Sequence, residues 1–295
     1  MRAVAEPTTV TPELLRGWQL PEPGSDKEAR GVVLVVGGSG RTAGAVVLAG
    51  EAALRVGGGK LQVATARTVT SQVGPAVPEA LVMALAEDDE GELTTEDVDR
   101  LVELARDAEV ALLGPGIQTP ATAQALLGAL VPQLSSTVVV DALGSAYLTE
   151  NPEGLHHLDG RCVVTVNPGE LARTLHVDDE EVERDQEATT VELAKRLRAV
   201  VVCGGSRKVV ATPQGQLWQV LAGGPGLGVA GSGDVQAGFV TGLLARGADP
   251  AQAAVWGAFL HGAAGDRLAA DVGPIGFLAR EIPCRAPGLL AGLTG

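Results

Sequence analysis

Asp234 stands where a glycine-rich run gives way to an apolar helical pattern, in GGPGLGVAGSGDVQAGFVTGLLARG over residues 223–247. A carboxylate in that position can take a proton from a hydroxyl group as the hydroxyl attacks phosphorus. The turn before it suits the phosphoryl group. A glycine-rich turn that feeds a helix leaves several backbone N–H groups unpaired and aimed the same way, and the helix dipole adds partial positive charge. Gly231, Ser232 and Gly233 are therefore the candidate anion hole, and the two glycines let the backbone approach the anion without a Cβ in between. The same residue types also cap helices, so Asp234 or Ser232 acting only as a cap is the competing reading.

The elements that would hold these groups follow a repeating plan. Val235, Phe239, Gly242, Leu243 and Leu244 recur at helical spacing, and Gly247 stops the pattern. Upstream, Gly31–Val36 reads as a buried strand that runs into Gly37-Gly38-Ser39-Gly40 and a small-residue helix from Gly44 to Val56. This second glycine turn lacks the spacing of the dinucleotide fingerprint and the Lys-Ser/Thr pair of the P-loop. Val110–Leu113, Thr137–Val140, Arg161–Val166 and Val200–Cys203 are further strands, separated by helical stretches such as Pro120–Leu130 and Glu187–Arg198. Lys208–Ala211 and Gln216–Val220 are short strands joined by a turn at Pro213-Gln214-Gly215, and a long helix follows Asp249-Pro250. Alternation of this kind predicts an α/β fold with a mainly parallel central sheet covered on both faces, and ligands gather outside the carboxyl ends of its strands. Residues 1–30 read as an N-terminal surface segment with a short helix near Pro12–Arg16, and residues 31–295 as a single domain.

Composition excludes several classes of partner. The net charge of −14 argues against nucleic-acid backbone and against an anionic membrane surface. No apolar run is long enough for a membrane span, and the N-terminus has no signal-peptide h-region. Cys162, Cys203 and Cys284 are odd in number and widely spaced, which fits neither a disulfide framework nor a metal site and points to a reducing cytoplasm. No other group of residues has metal-ligand spacing. His261 and Asp266 read as helix-contact and helix-face residues, Cys203 as a small buried apolar side chain, and Glu87–Glu92 as a solvated loop.

Seven strings in order resemble the ADP-dependent NAD(P)H-hydrate dehydratases of the ribokinase-like superfamily. They are Gly37-Gly38-Ser39 with Gly44-Ala45, Pro78-Glu79-Ala80, Gly114-Pro115-Gly116, Asp141-Ala142, Asn167-Pro168-Gly169-Glu170, Gly231-Ser232-Gly233-Asp234, and Leu260-His261-Gly262 with Gly265-Asp266. The resemblance runs from about Gly31 to Leu290 and implies a three-layer α/β/α sandwich of the ribokinase-like type. It implies a repair reaction in which ADP or ATP phosphorylates the ring hydroxyl of hydrated NADH or NADPH and loss of phosphate restores the ring. By that likeness Asp234 is the base, and Ala45, Gly116, Asn167 and Asp234 meet the hydrate. Gly204, Gly205, Ser206, Arg207, Lys208 and Gly233 would hold the adenine nucleotide, with Mg2+ on its phosphates, in a cytoplasmic homotetramer. The chain departs from the family pattern at Asn167, where histidine is usual, at Gly204, where lysine is usual, at Leu143, where an acid is usual, and at Gly224, where asparagine is usual. A small-molecule kinase for a thiazole or pyridine alcohol, and a catalytically weakened nucleotide-binding descendant, are the alternative functions.

Overall fold

Short runs of valine and leucine build the sheet. In the computed structural model, which describes residues 6–205 and 207–294, these runs form ten strands. They are β1 (Thr8–Thr9), β2 (Val32–Val36), β3 (Lys60–Ala66), β4 (Ala80–Leu85), β5 (Val110–Leu113), β6 (Thr137–Asp141), β7 (Cys162–Val166), β8 (Val200–Cys203), β9 (Lys208–Ala211) and β10 (Leu217–Val220). The spatial order is β1-β10-β9-β8-β7-β6-β5-β2-β3-β4. From β4 to β8 every pairing is parallel, and β8–β9 and β9–β10 are antiparallel. The central strands β5, β7 and β8 are buried at every residue. Such strands must be apolar on both faces, which is why they read as continuous apolar runs without alternation.

The strand order reverses at β2. From there the chain first builds outward through β3 and β4, then returns to place β5 on the other side of β2. Loops at such a reversal diverge and leave a crevice at the carboxyl ends of the strands. The crevice mouth is tied by backbone bonds: Gly38 N–H donates to Pro115 O at 2.8 Å and Ser39 N–H to Gly116 O at 3.1 Å.

Behind the crevice, the helix Ser232–Ala245 lies against the helix Ala43–Arg55 and buries twelve of its fourteen residues. The spacing of its large apolar residues suggests one buried face, but the helix is sandwiched and buried almost all round. Gly238 and Gly242 permit the close approach, because a Cβ on either would stand 2.3 Å from Ala49 O or 2.2 Å from Ala53 O respectively. The N-terminal segment departs from the surface expectation. Thr8–Thr9 pairs with β10, Val10, Leu15 and Leu20 are buried, and Trp256 Nε1–H donates to Trp18 O at 3.0 Å. Helices at Thr70–Ala76, Ser145–Glu150 and Asp179–Arg184 have no counterpart in the sequence reading. Glu92 is buried at 6% exposure, so the acidic loop is solvated only in part.

Candidate functional site

Gly231 takes φ +90°, a left-handed backbone that glycine adopts without strain, and turns the chain into the helix Ser232–Ala245. No side chain caps this helix. The capping reading of Ser232 and Asp234 therefore fails. The Ser232 hydroxyl bonds to His261 instead, and Asp234 sits in the first turn with its carboxylate at the wall of a cavity of about 820 Å3. Gly233 is open, with nothing within 4 Å of where its Cβ would be.

Three carboxylates line that cavity: Asp141 at the end of β6, Glu170 in the helix Pro168–Leu175, and Asp234. Burial, then the charge of Glu170, raises Asp234 from 3.8 to about 6. Asp141 is pushed well above the usual carboxylate range by burial and by Asp234, against the opposing effect of Thr165. Thr165 Oγ1–H donates to Asp141 Oδ1 at 2.6 Å. Both carboxyls of this interacting pair are raised, and Asp234, at about 6, is an acceptor poised near neutral pH. Glu170 is raised by burial, and it is engaged in a capping box. Asn167 N–H donates to Glu170 Oε2 and Glu170 N–H to Asn167 Oδ1, both at 2.9 Å. Asparagine is among the best N-cap residues, so the departure at Asn167 is accounted for locally by this helix start.

Further lining comes from the β8–β9 hairpin and the helix Pro250–Asp271. Lys208 is the only lysine or arginine in the described lining. Burial lowers its ammonium to about 8, and Asp266 works against that. Lys208 Nζ donates to Ala222 O at 3.4 Å, and Gly223 N–H donates to both carboxylate oxygens of Asp266 at 3.1 Å. Asp266 is an exposed helix-face charge, as read from the sequence, and also anchors the loop before the glycine turn. His261 also lines the cavity, at 4% exposure, and is more than a helix contact.

Of the nucleotide-binding candidates, Gly204, Gly205, Lys208 and Gly233 meet in this one cavity. Arg207 points elsewhere, to an ion pair with Glu187 at 2.8 Å and a bond to Gln219 at 3.3 Å. Ser206 lies outside the described residues. Asn167 and Asp234 are in the wall as well, whereas Ala45 and Gly116 form a second cluster at the β2–β5 crevice and are not part of that wall. A Cβ on Gly116 would be 3.0 Å from the Ala45 methyl, so these two are direct neighbours. Two contributors had no signal in the sequence. Thr165 is a mid-strand residue among valines, and Gln186 Nε2–H reaches 17 residues along the chain to Cys203 Sγ and to Gly204 O at 2.9 Å. Among the described residues no three His, Cys, Asp or Glu side chains are arranged to hold a metal ion. The described residues thus form no all-protein cage for Mg2+, an ion that commonly rides on substrate phosphates with few protein ligands.

A family model described as NAD(P)H-hydrate dehydratase matches residues 33–287. Over 283 residues the chain is 44% identical to the ADP-dependent (S)-NAD(P)H-hydrate dehydratase of Xanthomonas campestris pv. campestris, with 96% of each chain covered. It is 32% identical to the enzyme of the same name from Neisseria meningitidis serogroup B, over 88% of this chain and 84% of that one. Among solved structures, the ADP/ATP-dependent NAD(P)H-hydrate dehydratase of Bacillus subtilis, co-crystallised with ATP and Mg2+, superposes with a TM-score of 0.80. That comparison covers 99% of this chain and 100% of the other at 26% identity, and the shared architecture is ribokinase-like. A glycine turn, a raised carboxylate and a buried lysine share one cavity in a chain matched along nearly its whole length, and the chain belongs to the NAD(P)H-hydrate dehydratase family.

Proposed function

We propose that the protein is an ADP- or ATP-dependent lyase that restores NADH and NADPH from their (S)-hydrates. The observation that carries this reading is Asp234: a carboxylate raised to about 6, free of any capping duty, at the first turn of the helix that follows the glycine turn. Asp234 takes the proton of the ring hydroxyl as that oxygen attacks the terminal phosphorus of the nucleotide, and the bond from phosphorus to the nucleotide's bridging oxygen breaks. The new phosphate ester then leaves the ring with its C–O bond electrons, and loss of a ring proton forms the double bond. The amides of Gly231 and Gly233 face the transferring phosphoryl group, the Ser232 amide being taken by Val229 O at 3.1 Å, and the Lys208 ammonium offsets charge on the remaining phosphates. Ala45, Gly116 and Asn167 contact the hydrate, and Gly204, Gly205, Lys208 and Gly233 belong to the nucleotide side, while Arg207 is held away by Glu187. Mg2+ would enter with the nucleotide as the counter-ion of its phosphates. Residues 31–295 act as one domain in this reading, in a cytoplasmic homotetramer. No helix among the described residues is long and apolar enough to cross a membrane.

The test is turnover of freshly prepared hydrated NADH with ADP, with ATP and with neither. Recovery of NADH that depends on added nucleotide is the expected result. Absence of turnover, together with phosphorylation of a thiazole or pyridine alcohol, would replace this reading with that of a small-molecule kinase.

A further inference from the structure

Ser232 and His261 meet in the wall of the same cavity, and their pairing can be resolved into donor and acceptor. Ser232 Oγ and His261 Nε2 are 2.9 Å apart, and the residues are 5% and 4% exposed. The other ring nitrogen, His261 Nδ1, is buried without a partner among the described residues. Ser232 Oγ has no second protein partner among the described hydrogen bonds, although its residue lines the cavity.

Two tautomers of the neutral ring satisfy the 2.9 Å contact. If Ser232 donates to Nε2, the ring proton sits on Nδ1 and a buried N–H is left without an acceptor. If Nε2–H donates to Ser232, Nδ1 is a bare lone pair and the hydroxyl hydrogen is released. Orphaned buried donors are rarer and more costly than under-used acceptors, so the second arrangement is the stable one. The ring has no means of escaping the choice by ionising. Burial, then the nearby Lys208 ammonium, lowers the pKa of the ring from 6.5 to about 3, against the opposing effect of the Ser232 backbone. Of the titratable groups in the cavity wall, Lys208 is the one whose charge acts on the ring, while the carboxylates Asp141, Glu170 and Asp234 act on one another.

We propose that His261 donates through Nε2–H to Ser232 Oγ and so turns the Ser232 hydroxyl into an oriented donor toward the phosphoryl group held at the Gly231–Gly233 turn. Ser232, whose amide donates to Val229 O at 3.1 Å, then contributes its side chain to the anion hole, and His261 is a positioning residue. The proposal rests on the phosphoryl-transfer reading above for the identity of the anion, but the hydrogen-bond direction does not depend on it. A fixed hydroxyl is worth more than a rotating one because its orientation is settled before charge develops in the transition state.

The first measurement is made on ligand-free protein. With 15N-labelled histidine, the ring nitrogens of the four histidines are observed, and His261→Gln identifies the His261 signals. The expected result is a ring protonated on Nε2 alone and silent to titration between about pH 5 and pH 8. A proton on Nδ1, or a ring that titrates in that range, would overturn the proposal whatever the enzyme's activity. The second measurement is kinetic. Ser232→Ala should lower kcat on the order of 10²–10³-fold with KM changed far less, as for loss of one oxyanion donor. His261→Leu should lower kcat to a similar degree in the wild type and add little in the Ser232→Ala background. His261→Gln, whose amide N–H can donate to the same oxygen, should recover most of the loss. Wild-type kcat in Ser232→Ala would refute the hydroxyl's role, and full additivity of the two substitutions would refute the positioning role. Nε2 protonation in a wild-type protein that turns over no hydrate would leave the hydrogen-bond assignment standing and sink the function reading instead.

Discussion

Replacing Asp234 by Asn pulls chemistry and stability in opposite directions. The amide keeps the side-chain size, and no cap is lost because Asp234 makes none. The proton acceptor is gone, so hydrate turnover should fall on the order of 10²–10⁴-fold while ADP affinity changes little. Stability should rise. Burial and Glu170 raise the Asp234 carboxyl from 3.8 to about 6, so the folded chain holds this proton more tightly than the unfolded chain does. That contribution is fully present below pH 3.8 and is lost as pH rises through about 6. Above it, the wild type carries an ionised, half-buried carboxylate that costs about 3 kcal/mol, at roughly 1.36 kcal/mol per pH unit. Asn never ionises. Asp234→Asn should therefore exceed the wild type in Tm by roughly 5 °C near pH 8, and the difference should close as the pH approaches 3.8. Paired thermal melts across pH, with turnover measured on the same preparations, make the assay. Undiminished turnover would remove Asp234 from the reaction, and a Tm difference independent of pH would show that its carboxyl is not raised by its surroundings.

Three other outcomes follow from the geometry. Gly233→Ala should fold with a Tm near wild type, because its Cβ meets nothing within 4 Å, yet calorimetry should show ADP affinity reduced at least roughly tenfold if the phosphate sits there. Lys208→Met should weaken ADP on the order of 10–100-fold, the loss of one charge-assisted bond, and wild-type affinity should itself decline above pH about 8 as the ammonium deprotonates. Adding Gly204→Lys should restore part of that affinity. Cys203 pairs with Val209 across the hairpin, so the next rung sets 204 opposite 208, and a Cβ at Gly204 finds only Val166 O, at 3.6 Å. Gly238→Ala should cost about 1–3 kcal/mol and lower Tm, because the new methyl would be driven toward Ala49 O and force the two helices apart.

The legible parts of this chain are those whose physics is local. A strand buried on both faces must be apolar throughout, so β5, β7 and β8 could be placed from valine and leucine runs alone. A proline at the first turn after threonine or aspartate marks a helix start, and Thr119 and Asp249 do cap theirs. The helix Thr70–Ala76 escaped because Gly74 and Pro75 sit inside it, against helix propensity, and tertiary packing of Val73 overrides them. The site divides along the same line. The glycine turn and Asp234 are contiguous and could be read as a unit, but the alternative of a cap could only be dismissed once Ser232 was seen to bond across to His261, 29 residues away. Lys208 makes the sharpest case. In sequence it is merely a lysine near a glycine pair, and what gives it weight is the hairpin register and the burial that leaves its ammonium in a cavity with three carboxylates. Pairing across strands and crossings between helices set which charges share a cavity, and those distances are absent from any local window of sequence. Residue types can therefore nominate a base and an anion turn, but the proton affinities of the site, with Asp141 and Asp234 raised by burial and by their neighbours and His261 lowered, are a property of the fold.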